Sequence, residues 1–353
     1  MKFWLLAAAG VVVLAVLGVT LESYWVGLLT LSLIWGLFAM SLNLQVGYAG
    51  LQSLGHAAFF GTAAYTVGIL SRKAGITDFW VDVLVALVLG TLVAAILGVL
   101  ALRATGPYYL MSTLALAQVL WGLAYGKRDW TGGDDGLPGI TRPDFGLVSL
   151  VPGSNYFLFV LGVFVLATLA MSVLVRSPFG SSLQGIRESE SRMRMLGYNT
   201  WLFKYLCFVL SGFLAAVAGV LNAYYLQFVS VGDLSVVLSA EALLMVILGG
   251  PGTLLGPALG AVVLVFLRNI VSGQHVAIGP FDVGERWTLV LGVVYILVVM
   301  FAPRGIVGEV LERARGRRAA GRLVTLAAEE PPEMVEVPVE PQAAVGTHGA
   351  AGR

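Results

Sequence analysis

The feature that most constrains this chain is a succession of apolar runs, each close to the length that a helix needs to cross a bilayer. A hydrocarbon core about 30 Å thick requires roughly 20 apolar residues per helix. Eight such runs are clear, separated by charged residues, glycine or proline: Phe3–Leu21, Tyr24–Leu42, Gly55–Leu70, Val81–Leu102, Pro107–Tyr125, Tyr156–Val175, Tyr205–Leu226 and Trp287–Phe301. We interpret the first run as a spanning helix rather than a cleaved signal, because no A-x-A-like cleavage site closes it.

The composition supports a membrane protein. Hydrophobic residues make up 58% of the 353 residues and charged residues only 12%, whereas a soluble domain carries about 25% charged residues. So few ionisable side chains cannot cover a soluble core of this size. The sequence therefore predicts an all-α, polytopic integral membrane bundle of about 8–10 transmembrane helices, interrupted by glycine-rich broken segments.

A glycine-rich turn interrupts the apolar sequence near residue 250. The apolar stretches Ser235–Leu248 and Thr253–Leu267 lie on either side of Gly249-Gly250-Pro251-Gly252. The first stretch is short for a complete span, so the two form either two short helices or a re-entrant pair. Both alternatives add an even number of crossings, and the orientation of the remaining helices is the same in either.

The distribution of positive charge predicts the orientation. If Lys2 is inside and the runs alternate, Arg103, the 176–204 loop and the basic 304–322 segment lie on one side, which collects 14 of the 21 Lys and Arg residues, counting Arg353. The positive-inside rule makes that side cytoplasmic. It follows that the Lys127–Asn155 segment is external. We expect residues 1–305 to form the transmembrane domain and residues 306–353 a cytoplasmic tail, basic at first and then disordered, because the last part is rich in Glu, Pro, Ala and Gly.

Motifs for an internal energy source or catalytic centre are absent from the sequence. There is no GxxxxGK[ST] loop to hold phosphates and no GxGxxG. Cys207 is the single cysteine, and the three histidines are far apart in sequence, so no local metal motif is present. No nucleophile–base pair can be named, and the chain is not expected to be an enzyme or to bind a metal or cofactor.

The basic loop 176–204 contains a predicted amphipathic helix from Ser182 to Leu196. Leu183, Ile186, Met193 and Leu196 share one arc, together with Glu190. Glu188–Arg192 and Glu190–Arg194 are i,i+4 pairs of helpful orientation, and Gly197 is a plausible left-handed terminator. Two interpretations remain open: a helix lying on lipid headgroups, or a docking helix for a soluble partner.

Polar residues within apolar surroundings indicate a candidate pathway. Glu241 lies in the middle of an apolar run, where an ionised side chain costs about 2.5–3.5 kcal/mol on insertion scales, so it is expected to face a cavity or a hydrogen-bond partner. His56 is either an interhelical hydrogen-bonding residue or a ligand contact. The segment Asn43–His56 is too polar for lipid and carries no charge. Broken backbone at membrane depth is tolerated where it lines a cavity, and two such breaks predict a transport pathway.

Several motifs in order resemble one family. They are Gly47-Tyr48-Ala49-Gly50 with Ser53-Leu54-Gly55-His56-Ala57-Ala58-Phe59-Phe60-Gly61, Thr131-Gly132-Gly133 with Asp135-Gly136-Leu137, Arg176-Ser177-Pro178-Phe179-Gly180, Glu241-Ala242-Leu243-Leu244-Met245 with Leu248-Gly249-Gly250, and Pro303-Arg304-Gly305. Together they are similar to the LivM-type permeases of branched-chain amino acid ABC importers. The resemblance runs from about Leu31 to Gly305.

The resemblance implies a permease fold, a function and a set of partners. It implies a bacterial or archaeal cytoplasmic-membrane permease that imports branched-chain amino acids by alternating access with a second, LivH-like permease, two cytoplasmic ATPases that use ATP and Mg, and a periplasmic or lipid-anchored binding protein. No nucleic acid is implied. The same family includes urea and short-amide permeases, which the motifs do not separate. A self-sufficient channel or ion-coupled carrier, with Glu241 and His56 relaying protons, is the alternative from another class.

The resemblance also implies two groups of site residues. The expected substrate pathway comprises Asn43, Gly47, Tyr48, Gly50, Gln52, Ser53, Gly55, His56, Glu241, Gly249 and Gly250. The expected ATPase-coupling residues are Leu183, Ile186, Arg187, Glu188, Glu190, Arg194 and Gly197. Two departures from the family pattern occur: Ser191-Arg192 replaces small residues in the coupling helix, and Leu51-Gln52 reverses the usual order.

Overall fold

The computed structural model describes residues 2–74, 78–142, 150–151, 153–273, 277–278 and 281–282, with the single positions 292, 293, 296, 300 and 305. The described chain is almost entirely helical, as the apolar runs predict. Its helices are α1 Lys2–Thr20, α2 Ser23–Asn43, α3 Ala57–Ile69, α4 Phe79–Ala101, α5 Pro107–Gly126, α6 Arg128–Thr131, α7 Gly153–Arg176, α8 Pro178–Glu188, α9 Glu190–Met195, α10 Thr200–Leu226, α11 Val236–Gly249 and α12 Gly256–Gly273. The predicted run Trp287–Phe301, apart from four single positions, and the predicted tail 306–353 lie outside the described residues.

Four segments of the described chain are long and apolar enough to cross a membrane. They are Ser23–Ala49, Phe79–Ala101, Gly153–Arg176 and Thr200–Leu226. Shorter apolar helices cover Gly10–Thr20, Val236–Gly249 and Gly256–Ile270. These helices correspond to predicted apolar runs, and together they form a polytopic helical bundle.

The long helices differ in how deeply they lie in the bundle. In the most apolar part of α2 and of α10, 67% of the residues are buried, whereas in α4 and α7 only 22% are. The outer faces of α4 and α7 carry exposed apolar side chains such as Leu84, Leu92 and Val173. A helix that exposes this much apolar surface requires lipid around it, so α2 and α10 form the centre and α4 and α7 the lipid-facing layer.

Small residues allow α10 to approach α3 and α4 closely. A Cβ at Gly212 would overlap Ala94, and one at Gly219 would overlap the backbone of Phe60 in α3. On α4 the buried residues Gly90 and Ala94 repeat every four positions, which keeps them on one face. Membrane helices associate through such close contacts because lipid supplies no hydrophobic driving force between them. We call these contacts the glycine seam.

Helix α12 runs antiparallel to α2 along its length. At one end the Tyr24 hydroxyl donates to Asn269 Oδ1 at 2.9 Å, and at the other the Asn43 side chain meets the backbone of Thr253. Helix α11 packs beside α12, where a Cβ at Gly260 would overlap the carbonyl of Met245. Helix α12, with 18 residues, thus lies along most of α2, whereas α11 has only 14 residues, and neither is among the four segments long enough to cross a membrane.

Short strands connect the predicted external segment to the end of α10. Strand β1, Leu137–Pro138, pairs antiparallel with β2, Phe228–Val229. A second pair joins β3, Ala277–Ile278, to β4, Phe281–Asp282. The glycines at 132, 133 and 136 all have positive φ, a conformation that glycine adopts easily in tight turns.

Candidate functional site

The predicted break between α2 and α3 begins later than the sequence analysis placed it. Helix α2 continues as a π-helix over Leu44–Ala49, and the chain turns at Gly50, where φ is 72°. The prediction that irregular backbone starts at Asn43 was therefore wrong by about two turns. The wider turns of the π-helix displace the backbone at this point, and the irregular part runs from Gly50 to His56.

Two glycine-rich breaks meet at one place, through Asn43. Its side-chain Nδ2 donates to the Thr253 carbonyl at 2.8 Å, and its Oδ1 accepts from the Gly252 amide at 2.9 Å. A Cβ at Gly47 would overlap both Asn43 Oδ1 and the Gly252 amide. Residues 43–50 and 249–253 thus form one structure, which we call the glycine junction. In the 249–253 segment of the junction, Gly250 and Gly252 have φ of 106° and 83°, values that other residues rarely adopt.

Arg187 connects the predicted coupling loop to the glycine junction. Its guanidinium donates a hydrogen bond to the carbonyl of Gly47, and its aliphatic stem lies against Gly50. The same guanidinium lies beside Gly252. One side chain of α8 therefore contacts both glycine-rich breaks that the sequence analysis assigned to the pathway.

The predicted single helix from Ser182 to Leu196 is two helices, α8 and α9, so that prediction was wrong. Ser189 adopts an extended conformation with φ −160° and ψ 99°, and its hydroxyl caps α9 by accepting from the Arg192 amide at 3.4 Å. Serine competes for backbone groups in this way, which favours a helix start over a helix interior. The break separates Glu188 from Arg192, and no ion pair joins these two described residues. Gly197 has φ 86°, as predicted for a terminator.

Glu190 attaches α9 to the start of α10. Its carboxylate accepts from Lys204 Nζ at 2.5 Å, from Arg194 Nη2 at 2.6 Å and from the Thr200 hydroxyl at 3.1 Å. The predicted Glu190–Arg194 pair is therefore confirmed. Burial opposes ionisation, but the hydrogen bonds from Lys204 and Arg194 hold the pKa of the Glu190 carboxyl below its usual range.

The apolar side of the coupling loop divides into a buried half and an exposed half. Leu183 is fully buried, in a cluster with Tyr48, and Ile186 is buried as well. In contrast, Met195 at the end of α9 and Leu196 just after it are 81% and 67% exposed. The predicted common arc thus holds for Leu183, for Ile186 and in part for Met193, whose sulfur lies against Gly185, but not for Leu196.

His56 lies in a buried polar network near the glycine junction. Its Nε2 is 2.7 Å from the Ser41 hydroxyl, while Ser211 donates to the Ser41 carbonyl at 2.6 Å and accepts from Gln45 at 3.0 Å. The Tyr109 hydroxyl donates to Gln45 Oε1 at 3.3 Å. Tyr109 and Ser211 were not predicted as site residues, because each is a single polar residue in an apolar run, and Gln45 lies in the predicted polar segment Asn43–His56 but was not among the pathway residues.

Glu241 lies apart from His56, in a cavity of about 180 Å³ between α2, α11 and α12. Its side chain is 7% exposed. The cavity is lined also by Trp35, Arg268 and Asn269. The structure therefore places Glu241 and His56 at two separate sites, and no hydrogen bond among the described residues joins them.

The remaining pathway residues lie on the coupling side of the bundle. Gln52 lines a cavity of about 650 Å³, together with Arg187, Glu190 and Lys204. Ser53 and Gly55 line a smaller cavity beside Thr113. The eleven residues predicted as one pathway are thus distributed over the glycine junction, the His56 network, the Glu241 cavity and these two coupling-side cavities. Among the described residues, no group of three or more His, Cys, Asp or Glu side chains has a geometry suited to a metal ion.

The fold and the site define a class of protein: a multi-pass helical membrane protein, in which a helix outside the long spans is hydrogen-bonded to the π-helical end of one span. The family described as branched-chain amino acid transport system, permease component, matches residues 24–300. The chain belongs to this family, that of branched-chain amino acid ABC permeases.

Curated relatives agree with the family assignment. The high-affinity branched-chain amino acid transport system permease protein LivM of Escherichia coli K12 is 29% identical over 304 residues, covering 80% of this chain and 69% of the relative. LivM of Salmonella typhimurium is 30% identical with the same coverage. A probable branched-chain amino acid transport permease LivM of Methanocaldococcus jannaschii is 24% identical over 330 residues, covering 80% of this chain and 94% of the relative. These relatives are transport permease components, not enzymes.

Proposed function

We propose that this chain is one permease subunit of an ATP-driven importer that carries branched-chain amino acids into the cytoplasm across the cytoplasmic membrane of a bacterium or archaeon. The names of the LivM relatives support this substrate. A second, LivH-like permease subunit completes the membrane channel, two cytoplasmic ATPases bind ATP and Mg, and a binding protein delivers the amino acid. This chain itself binds no cofactor.

The observation that supports the proposal most directly is the Arg187 contact. Helix α8 lies in the predicted cytoplasmic loop, and its Arg187 side chain is hydrogen-bonded to Gly47 in the glycine junction. A displacement of α8 by an ATPase would therefore act on both broken segments at once. Nucleotide binding and the opening of the pathway are coupled in this proposal through one side chain and the backbone that it contacts.

Substitutions of Glu190 and Gly197 test the docking role of the coupling loop. We expect Glu190→Gln to release α9 from Lys204 and Arg194, and Gly197→Ala to strain the left-handed turn that follows α9. In proteoliposomes with all partner subunits, each variant should hydrolyse ATP but take up leucine about 5- to 100-fold more slowly, the range of typical coupling energies. Unchanged uptake in both variants would contradict the docking role.

Matched control variants separate coupling from folding. Gly139 has the same positive φ as Gly197, 86°, and lies in the predicted external segment, so Gly139→Ala imposes a comparable strain away from α9. Glu22→Gln removes an exposed carboxylate at the opposite end of the bundle. Both controls should keep uptake linked to ATP hydrolysis. Uptake by this chain alone, driven by a pH gradient, would instead support an ion-coupled carrier, and uptake of urea in preference to leucine would support an amide permease.

A further inference from the structure

The cavity beside Glu241 combines opposite charges with apolar walls. The Glu241 carboxylate is nearly buried, and the Arg268 guanidinium lines the same cavity and interacts with it electrostatically. Leu31, Met245 and Leu264 supply the apolar walls. Ligand sites of small molecules have this composition, mostly apolar with a few polar groups that fix orientation.

The cavity also contains an unpaired donor. The indole Nε1–H of Trp35 is buried and has no hydrogen-bond partner among the described residues, although Trp35 lines the cavity. Buried polar groups are nearly always hydrogen-bonded, so this donor is expected to have a partner outside the described residues. An acceptor oxygen on a bound molecule would complete this site.

Position in the fold connects the cavity to the glycine junction. Glu241 and Met245 lie on α11, which ends at Gly249, and Arg268 lies near the opposite end of α12 from Thr253. On the same helix as Glu241, Ser239 instead faces α3 and accepts from the Ala57 amide at 2.9 Å. Helix α11 therefore presents one face to the core and the other to the cavity, and both α11 and α12 lead directly to the junction that Arg187 contacts.

We propose that this cavity binds the zwitterion of an aliphatic α-amino acid, with Glu241 holding the ammonium group, Arg268 the carboxylate, and the apolar walls the side chain. The proposal rests on the proposed function and assigns its substrate to particular residues. Two opposite charges at one mostly apolar cavity match a ligand that carries both charges and a short hydrocarbon chain. Charge-assisted hydrogen bonds of this kind discriminate strongly, because a ligand that lacks one group leaves the buried Glu241 carboxylate or the exposed Arg268 guanidinium without that contact.

The test measures binding of three ligands to the complex of both permease subunits and the ATPases, without the binding protein. L-Leucine carries both charges, 3-methylbutylamine lacks the carboxylate and 4-methylpentanoate lacks the ammonium group. Glu241→Gln should weaken leucine binding at least about tenfold while leaving 4-methylpentanoate nearly unchanged. Arg268→Gln should weaken leucine to the same degree and leave 3-methylbutylamine nearly unchanged. Trp35→Phe, which keeps an aromatic ring but removes the donor, should weaken leucine about threefold or more.

Control variants address a purely structural role. Asp82→Asn alters another buried membrane carboxylate, one that accepts from the Tyr224 hydroxyl at 3.2 Å and lies outside the cavity, and Arg103→Gln removes an exposed cation. Both should keep the wild-type preference for leucine over its two analogues. Equal weakening of all three ligands in Glu241→Gln and Arg268→Gln, or no change in either, would overturn the proposal.

The wild-type complex separates this proposal from the proposed function. If leucine is taken up with the binding protein present but the cavity variants keep wild-type discrimination, only the cavity assignment fails. If the complete wild-type complex takes up no leucine, the proposed function fails, and the cavity assignment fails with it.

Discussion

Helices α2 and α12 are joined at both ends, but by contacts of different kinds. At the predicted external end, the side chains of Tyr24 and Asn269 are hydrogen-bonded to each other, and both residues are at least partly exposed. At the predicted cytoplasmic end, Asn43 is fully buried and bonded to backbone groups of the glycine junction. The external contact can therefore exchange its partners for water more readily than the cytoplasmic contact. We infer that the cytoplasmic end sets the spacing of the two helices.

The same difference separates the two charged regions of the molecule. The Arg187 side chain is hydrogen-bonded to the backbone of the glycine junction. Glu241 and Arg268 instead line a cavity. In the two proposals, one end of the α2–α12 pair transmits movement and the other receives a ligand. Three predictions test this division, in order of expected effect.

The largest effect is expected from Gly47→Val. A branched side chain at this position would overlap Asn43 and the backbone of Gly252, and overpacking of this kind costs about 1–3 kcal/mol or more. The variant should lose thermal stability in detergent and lose uptake. A matched Gly10→Val change in α1, where no atom lies within 4 Å of an added Cβ, should change neither. Normal stability of Gly47→Val would contradict the close approach at the junction.

A smaller effect distinguishes the two ends of α2 directly. Asn43→Ala removes two hydrogen bonds to partly buried backbone groups, each worth about 0.5–1.5 kcal/mol. Tyr24→Phe removes one partly exposed hydroxyl, worth about 1 kcal/mol or less. Thermal unfolding of the two variants should show a clear loss for Asn43→Ala and a slight one for Tyr24→Phe. Equal losses would mean that the two ends contribute equally.

The smallest effect is expected from pH. Because the folded-state pKa of Glu190 is lowered, its contacts contribute stability above the ordinary value near 4.5, and that stability is lost as the pH falls through the lowered pKa. The Glu190 side chain is 30% exposed, so the contribution is about 1 kcal/mol or less. Stability measured between pH 3 and pH 7 should fall more in the wild type than in Glu190→Gln. Parallel curves would assign the acid sensitivity to another group.

The bundle was predictable from the sequence because membrane helices have a strong local signal. An apolar run of the right length can satisfy its own backbone only as a helix, so α4, α7 and α10 follow from their composition. The glycines at 50, 250 and 252 were likewise recognisable as breaks. These positions need a positive φ, which glycine adopts more easily than any other residue, so the glycines themselves indicate the breaks.

Other features depend on residues that meet only in the folded chain. Arg268 was counted as an external charge, and its place beside Glu241 follows from the antiparallel packing of α11 and α12. Trp35 is one aromatic residue in an apolar run, and nothing nearby in sequence marks its unpaired donor. The sequence does contain an N-cap signal for the break at Ser189, a serine three residues before Arg192. The amphipathic pattern of the whole loop favoured one continuous helix instead, and the prediction followed that pattern.

The glycine seam has a mechanical consequence. At Gly212 and Gly219, α10 lies directly against α4 and α3, with little side-chain volume between the backbones. These three helices therefore have little freedom to slide or rotate and should reorient as one rigid body. Helices α11 and α12 are instead connected by glycines with unusual backbone angles, which resemble the short hinges that absorb dihedral changes in other moving proteins. During a transport cycle, we expect the displacement to be concentrated at this hinge, between a rigid frame and a tilting pair.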